Sequence, residues 1–372
     1  TYYQQYRLAD VFAPVTRAPL RELETLKAIP GIASVEGRLQ GSALIDMPGQ
    51  PLPVRAVAVS LPPYRAPNLN DLYLTQGRFL RPGRTEEVIV LKSFADAHDL
   101  ELGGEISATM YGARRSFVIV GFAQSPEFLF TVAPGEYVPD DARFAAIWMN
   151  LDAMAAAYDL DGAFNEALIS LERGAQPQAV IDAVDAVLNR YGGQGAYARK
   201  DHMSDRFVSE EIGGLRATSV AVPPIFMGVA AFLLYIVITR MVQSEREQIG
   251  LIKAFGYSDV EVGLHYFKMV VFIAVVGAGF GCVFGIWAGR AMAGVYQSVY
   301  HFPFLVFGVD PTSFVVGVSV SVVSASTGGI FVLRRVFALT PAVAMRPPAP
   351  TDFSRTGALN EHLKGWLDQP SR

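Results

Sequence analysis

The stretch SEREQIGLIKAFGYSDVEV, Ser244 to Val262, is rich in charge, yet it lies between two long apolar runs. If the stretch is helical, Ile249, Ile252 and Phe255 lie on one side at spacings of three and four, and Leu251 lies beside them. The charged side chains fall largely on the other side: Glu245, Arg246, Glu247 and Lys253. The pattern predicts an amphipathic helix next to a membrane-like region.

The same stretch contains a predicted break. Gly256 occupies a position suited to a left-handed helix C-cap, and Ser258 followed by Glu261 fits the capping box of a new helix. We therefore expect a helix, a break and a second helix, with the first helix continuing from Arg240 as an extension of the preceding apolar run. On the pattern alone, a rigid lever moved by a partner protein and a simple interfacial anchor are both open.

Three apolar runs are long enough to cross a hydrocarbon core of about 30 Å, which needs roughly 20 helical residues. They are Ala217 to Thr239, Met269 to Gly289 and Pro311 to Leu333, and each is free of charged residues. A single run could be a buried helix of a soluble protein, but three predict an α-helical transmembrane bundle. The composition agrees, with 51% hydrophobic residues, 18% charged residues and a mean hydropathy of +0.29.

The lysines and arginines near the spans predict the topology, because these residues favour cytoplasmic loops. The first connection carries Arg240, Arg246, Lys253 and Lys268, whereas the second carries only Arg290. Residues 240–268 are therefore expected to be a cytoplasmic coupling segment within a transmembrane domain of residues 216–335. Residues 1–215 then form an extracytoplasmic domain, and residues 336–372 form a cytoplasmic tail or linker.

Export of residues 1–215 needs a signal, but the segment after Thr1 has neither a basic region nor an apolar core. We expect a further transmembrane helix upstream of Thr1, whose outer end continues into the aromatic cluster of Tyr2, Tyr3 and Tyr6. The sequence is therefore expected to be a fragment of a longer chain.

Small residues recur at every fourth position of the second and third spans. The stripes are Gly277, Gly281, Gly285 and Gly289 in the second span, and Gly317, Ser321, Ala325 and Gly329 in the third. Small residues let transmembrane helices approach closely, although glycine is common in such helices and chance is the alternative. We expect the stripes to pack tightly, with each other or with a partner subunit.

The first 215 residues have ordinary charge density and predict an α+β domain with two α/β layers. The predicted helices are Thr16 to Ala28, Ser93 to Asp99 and Pro177 to Arg190. The predicted strands include Ser34 to Ile45, Pro53 to Ser60, Glu87 to Leu91, Glu105 to Met110, Ser116 to Gly121 and Ala167 to Leu171, with Gly112 in a hairpin turn. The stretch Ser125 to Asp141 is either a partner loop or an ordinary proline-rich connection.

The sequence lacks the motifs and charge patterns that are typical of several functional classes. A net charge of −4 without a dense basic cluster argues against nucleic-acid binding. There is no phosphate-binding loop, zinc-binding H-E-x-x-H or nucleophile elbow. The stretch GAGFG at Gly277 imitates a dinucleotide-binding loop, but it lies within a span and no strand precedes it. Cys282 is the single cysteine, and the histidines are too scattered to predict a metal site: His98, His202, His265, His301 and His362. No span carries an ionisable residue, so the energy for any transport must come from elsewhere.

The stretch from Ser244 also resembles the cytoplasmic segment of FtsX-like, MacB-type ABC transporter permeases, in which a Glu-Arg pair, a Glu-Ile-Gly group, a basic residue, an Ala and a Gly follow the second transmembrane helix in that order. The matching positions are Glu245, Arg246, Gln248, Ile249, Gly250, Lys253, Ala254 and Gly256, with Gln248 where the family often has glutamate. LTPAVAMRP is similar to the family's P-x-x-A-x-R ending, through Pro341, Ala344 and Arg346. LTQGRFLRPGRTEEVIVLKSFADAHDLELGGEI, Leu74 to Ile106, is similar to the family's extracytoplasmic core.

The resemblance implies a permease of the bacterial cytoplasmic (inner) membrane, with a MacB-like α+β domain outside. A separate ABC ATP-binding subunit would hold ATP and Mg²⁺, so no cofactor, metal or catalytic residue is expected in this chain. That ATPase would dock at the coupling segment: Glu245, Arg246, Glu247, Gln248, Ile249, Gly250, Leu251, Ile252, Lys253, Ala254, Phe255 and Gly256. Some members of the family carry two such halves in one polypeptide, so we expect this chain to be the N-terminal half of a double-length permease.

The other partners implied by the resemblance are membrane lipid and either a second permease half or a homodimer partner. ATP-driven motion would then reach the outer domain and export or extract amphiphilic cargo such as a lipid, a lipoprotein or a hydrophobic drug. The alternative is a mechanotransmitter that moves nothing and regulates an outer partner such as a cell-wall hydrolase. A membrane-anchored enzyme with an unrecognised outer site is the third hypothesis.

Overall fold

The computed structural model describes residues 2–50, 52–132, 139–304 and 307–337. The chain forms two compact units, one of Thr1–Ser219 with Trp287–Gly308, the other of Val220–Ile286 with Val309–Arg372. The predicted boundary between residues 215 and 216 stays a prediction. The motif LTPAVAMRP and nearly all of the predicted tail lie outside the described residues, as do residues 133–138 of the predicted loop.

The first unit contains every strand that occurs among the described residues. They are β1 (Val11–Pro19), β2 (Ile32–Arg38), β3 (Gln40–Asp46), β4 (Val54–Leu61), β5 (Tyr73–Gly77), β6 (Glu87–Leu91), β7 (Glu105–Met110), β8 (Ala113–Gln124), β9 (Phe144–Asn150), β10 (Ala163–Leu171) and β11 (Tyr197–Ala198). The shorter helices are α1 (Tyr2–Gln5), α2 (Glu22–Lys27), α3 (Lys92–Ala97), α4 (Leu151–Tyr158) and α5 (Pro177–Leu188). The remaining helices are α6 (Met203–Ser244), α7 (Arg246–Ala254), α8 (Asp259–Val299) and α9 (Pro311–Phe337).

The strands form two sheets, one in the order β11-β1-β10-β2 and the other in the order β5-β8-β6-β9-β4-β3-β7. Helices α2 and α5 pack on the smaller sheet, and α3 and α4 pack on the larger one. Each sheet has its own apolar core, with Phe164 and Leu26 in the smaller and Trp148 and Phe94 in the larger. The predicted α+β domain with two layers is therefore confirmed.

The predicted strand Ser34 to Ile45 is wrong as a single element. The chain leaves the smaller sheet at Arg38 and joins the larger sheet at Gln40. Buried Leu39 is the only residue between them, and its backbone amide donates to Ser60 Oγ at 2.9 Å. Because the alternation of apolar and polar residues continues through this point, the sequence pattern does not reveal the change of sheet.

The predicted helix from Thr16 to Ala28 is also wrong in its first part. Residues up to Pro19 belong to β1, which pairs antiparallel with β10 around an irregularity between Pro14 and Ala18. The helix α2 begins only at Glu22. Long-range pairing with β10 thus overrides the helix-like local pattern. The strands Glu87–Leu91 and Glu105–Met110 and the hairpin at Gly112, where φ is +81°, are confirmed.

A buried ionic cluster, which we call the Arg38 cluster, joins the two sheets. Arg38 Nε donates to Glu166 Oε2 at 2.6 Å on the neighbouring strand β10. Its two Nη atoms donate to the carboxylate of Glu127 at 2.7 and 2.5 Å. Glu127 lies in the turn Pro126–Phe128 that follows β8 of the larger sheet. Burial alone would raise the pKa of Glu127, but the charge and hydrogen bonds of Arg38 outweigh it and lower that pKa.

The beginning of α6 is attached to the same turn. Ser204 is fully buried, and its hydroxyl donates to the backbone oxygen of Glu127 at 2.5 Å. The same hydroxyl oxygen accepts from the backbone amide of Phe130 at 3.3 Å. The first turn of the long helix is therefore fixed to the loop that carries one carboxylate of the Arg38 cluster.

The three predicted spans are confirmed as parts of longer helices. The candidate membrane spans among the described residues are Met203–Ser244, Asp259–Gln297 and Pro311–Phe331. The helix α6 has 42 residues and extends well before the predicted span, since residues 203–216 are helical but carry charges. At about 1.5 Å per residue, α6 is much longer than the hydrocarbon core is thick.

The small-residue stripes do not pack on each other within the chain. Gly277, Gly281, Gly285 and Gly317 have open space where a Cβ would lie. Gly277 and Gly281 instead line an open apolar cleft opposite Gly317, Ser321 and Ala325. Close approach occurs elsewhere, where Gly328 meets Ala231, Gly329 meets Val270 and Gly289 meets Phe307. The expected contact between the stripes is thus corrected, and packing with a partner subunit stays a prediction.

Replacing Arg38 by Met should lower the free energy of unfolding by about 3–5 kcal/mol, because two buried carboxylates lose their cation. The matched variant Arg84→Met removes an exposed ion pair with Glu86 and should cost less than about 1 kcal/mol. Denaturant unfolding of the full chain in detergent, followed by tryptophan fluorescence, measures both. Equal costs would contradict a structural role for the Arg38 cluster.

Candidate ATPase-coupling site

The helix–break–helix motif predicted around Gly256 is present, with one difference. The helix α6 ends at Ser244, and α7 begins at Arg246 as a separate helix. The backbone departs from helical geometry at Glu245, where φ is −94° and ψ is 9°. The expectation of one continuous lever from the span into the coupling segment is therefore corrected, because a joint separates the two helices.

The helix α7 is held against its neighbours by Ile249, which is 1% exposed. Ile249 belongs to an apolar cluster whose other buried members come from α6 and α8: Ile238, Val242, Val262, Tyr266 and Val270. Ile249 therefore faces its own chain. This placement corrects the expectation that it contacts the ATPase together with Leu251, Ile252 and Phe255.

Two polar contacts fix α7 in the same position. Lys253 was predicted on the exposed charged side, but it is buried and its Nζ lies 2.8 Å from Asp259 Oδ1 at the start of α8. At the joint, Tyr266 Oη donates to Glu245 Oε2 at 2.7 Å. Both contacts tie α7 to α8, so the two helices are expected to move together.

The break between α7 and α8 follows the predicted chemistry. Gly256 has a φ of +99°, and the amides of Gly256 and Tyr257 donate to the carbonyls of Lys253 and Ile252. These bonds form a Schellman C-cap. Ser258 and Glu261 exchange hydrogen bonds as a capping box, in which the Ser258 amide donates to Glu261 Oε2 at 2.8 Å.

Around this break the chain exposes a group of large apolar side chains, which we call the docking patch. Its members are between 41% and 77% exposed: Leu251, Ile252, Phe255, Tyr257, Val260 and Leu264. A group of large apolar side chains that stays exposed is typical of a protein or membrane interaction site. The sequence predicted the three residues before Gly256 and missed the three after it. The sequence pattern that could have predicted them is the spacing of four between Val260 and Leu264, which lie on the face of α8 opposite buried Val262 and Tyr266.

The other predicted coupling residues have mixed positions. Glu247, Gln248 and Ala254 are exposed on α7, Gly250 is buried, and Glu245 and Arg246 are half-buried. No group of three or more potential metal ligands occurs among residues 2–50, 52–132, 139–304 and 307–337. Two histidines outside the coupling segment have other contacts. His301 Nε2 lies 3.0 Å from Asp141 Oδ2, and the ring of His202 stacks on that of Phe12 with 4.7 Å between their centres.

Comparison with known proteins finds a family model that matches part of the chain. Residues 220–341 match the model of the FtsX-like permease C-terminal domain. This match confirms the resemblance that the motif at Ser244 predicted, and it covers α7 and the docking patch. No curated protein sequence shows significant similarity to this chain.

Two solved structures resemble part of the chain. The periplasmic region of MacB from Actinobacillus actinomycetemcomitans aligns with a TM-score of 0.35 and 11% identity, covering 57% of this chain and 95% of that structure. The extracellular domain of the noncanonic ABC-type transporter YknZ from Gram-positive bacteria aligns with a TM-score of 0.34 and 10% identity, covering 51% of this chain and 98% of that structure.

The spans, the distribution of lysine and arginine and the family match together give the location of the chain. It is a multi-pass protein of the bacterial cytoplasmic membrane, with the α+β domain outside the cytoplasm. The docking patch consequently belongs to a cytoplasmic connection between two spans.

The opposite placement of two neighbouring apolar residues on α7 can be tested directly. Ile249→Ala should destabilise the chain by about 2–5 kcal/mol, because it leaves a cavity among buried side chains. Leu251→Ala should change stability by no more than about 0.5 kcal/mol, since Leu251 is exposed. Thermal unfolding of the full chain in detergent measures both effects, and a larger cost for Leu251→Ala would reverse the assignment of the two faces.

Proposed function

We propose that this chain is the permease subunit of an ABC transporter and that a separate ATPase docks on the patch around Gly256. The observation that carries the proposal is the exposure of large apolar residues on a helix pair that is otherwise firmly packed. ATP and Mg²⁺ would be bound by the partner. The FtsX-like match of residues 220–341 supports this assignment.

The apolar side chains of the docking patch could supply much of the binding free energy of a micromolar complex. Fully burying a Leu, Ile or Phe side chain contributes about 1.5–3 kcal/mol. Leu251, Ile252 and Phe255 together could therefore supply much of the roughly 8 kcal/mol that a micromolar complex requires, before ordering costs. An amphipathic helix seated in a groove of a partner is a common mode of recognition.

Motion of the ATPase would reach the rest of the chain through the contacts of α7. Ile249 and Lys253 pack α7 on α6 and α8, so a displacement of the docking patch would act on both helices. The first turn of α6 is bonded through Ser204 to the loop of Glu127 in the outer domain. The proposed output is movement of the α+β domain, and the proposed cargo class is an amphiphile such as a lipid, a lipoprotein or a hydrophobic drug.

The test is co-purification of the full chain with the ABC ATP-binding subunits of its own cell. Leu251→Asp and Phe255→Asp should each abolish the complex, because a carboxylate buried in an apolar groove costs several kcal/mol. Gln243→Asp introduces the same charge at an exposed position near the end of α6 and should retain the complex. Mass spectrometry of the eluate and its ATPase activity give the readout, with equal membrane insertion as the control.

The proposal fails if no ATP-binding subunit is retained by the wild-type chain, or if both patch variants retain it as well as Gln243→Asp does. The alternative role, regulation of an outer partner without transport, shares the ATPase contact. It would be favoured by direct binding of a cell-wall hydrolase to the intact chain together with the absence of ATP-dependent release of any amphiphile from vesicles.

A further inference from the structure

We infer that an apolar cavity between the outer ends of α6 and α8 binds one hydrocarbon chain of an anionic phospholipid that has left the bilayer. The proposal deepens the proposed function, on which it rests, because it gives the amphiphilic cargo a binding site in this chain. The site lies wholly within the unit that contains the α+β domain.

The cavity has a volume of about 460 Å³, which lies within the roughly 300–1,000 Å³ of typical ligand sites. Its walls come from α6, α8 and the loop before α9, and they are almost entirely apolar or aromatic, with Ile212, Leu215, Met292, Tyr300, Phe302 and Phe307 among them. The only carboxylate that lines it is Glu211, which accepts a hydrogen bond from Tyr296 Oη at 2.5 Å. The lining is therefore suited to hydrocarbon.

The position of the cavity along the helices distinguishes it from the ordinary lipid-facing surface. On α6 it precedes Arg216, in a stretch that carries Asp205, Arg206 and Glu210, and on α8 nearly all of it follows Arg290. These charges place its lining on the aqueous side of the apolar runs. A lipid that merely surrounds the protein would keep its chains beside the runs themselves, so a chain in this cavity has been withdrawn from the bilayer.

Two observations point to the occupant. Ile212 and Met292 are 54% and 51% exposed although they lie beyond the apolar runs, so the described residues leave this apolar surface uncovered and a bound hydrocarbon chain would remove it from water. The guanidinium of Arg290 lies 5.8 Å from the centre of the Phe307 ring at the membrane side of the cavity. No ion pair of Arg290 occurs with any residue that the structure describes. A cation beside a hydrocarbon-lined cavity complements a phosphate that is linked to an acyl chain.

The experiment uses the purified full chain, without an ATPase, in nanodiscs that contain phosphatidylglycerol carrying a photoreactive diazirine near the end of one acyl chain. After irradiation, mass spectrometry should find label in residues 208–215 and 292–302. Ala293→Phe places a ring in the cavity, and it should reduce this label about tenfold, the change expected for a loss of about 1.4 kcal/mol. Ala291→Phe makes the same substitution at an exposed position outside the cavity and should leave the label unchanged.

Arg290→Gln tests the headgroup without altering the apolar lining. It should reduce labelling by the phosphatidylglycerol probe and leave labelling by the matched phosphatidylcholine probe unchanged. The lipid proposal is overturned if label is confined to the spans or if Ala293→Phe and Ala291→Phe behave alike. Crosslinks between copies that Ala293→Phe abolishes, with no lipid label in the cavity, would instead identify a second copy as the occupant. Because no ATPase is present, none of these outcomes depends on the docking patch.

Discussion

The outer domain depends on one buried cation that is shared by two carboxylates. Arg38 is the last residue of β2. It pairs with Glu166 of its own sheet and with Glu127 in the turn that follows β8 of the other sheet. Removing Arg38 would leave two carboxylates without their cation in an apolar interior, which costs several kcal/mol. Because the chain changes sheets immediately after Arg38, the ion pairs fix the angle between two layers that have separate apolar cores.

The same constraint extends to the helix α6. Glu127 uses its side chain for Arg38 and its backbone oxygen for Ser204, so one short turn carries both the link between the sheets and the start of α6. His202, one residue before α6, stacks on Phe12 of β1, and burial lowers its pKa. A rotation of either sheet would therefore disturb the first turn of α6, and a displacement of α6 would strain the cluster.

Features of the sequence that arise from local chemistry were predictable, whereas those that arise from long-range contacts were not. The spans follow from hydropathy, and the cap at Gly256 and the capping box at Ser258 follow from backbone requirements within a few residues. The face of α7 that packs inward depends on apolar residues of α6 and α8, which no local spacing reveals. Ile249 and Leu251 are both apolar and only two positions apart, so only the tertiary structure shows that one is core and the other exposed. The change of sheet at Leu39 was hidden for the same reason.

The helix α6 is not a stiff rod, and this limits how motion can pass along it. The helix α6 contains Pro223 and Pro224, which remove two backbone donors, and Gly213 and Gly214 lie nearer its start. Between its anchor at Ser204 and its packing against α7 at Ile238 and Val242, α6 can therefore bend. In the proposed function, motion along α6 would therefore take the form of bending and not of a rigid tilt.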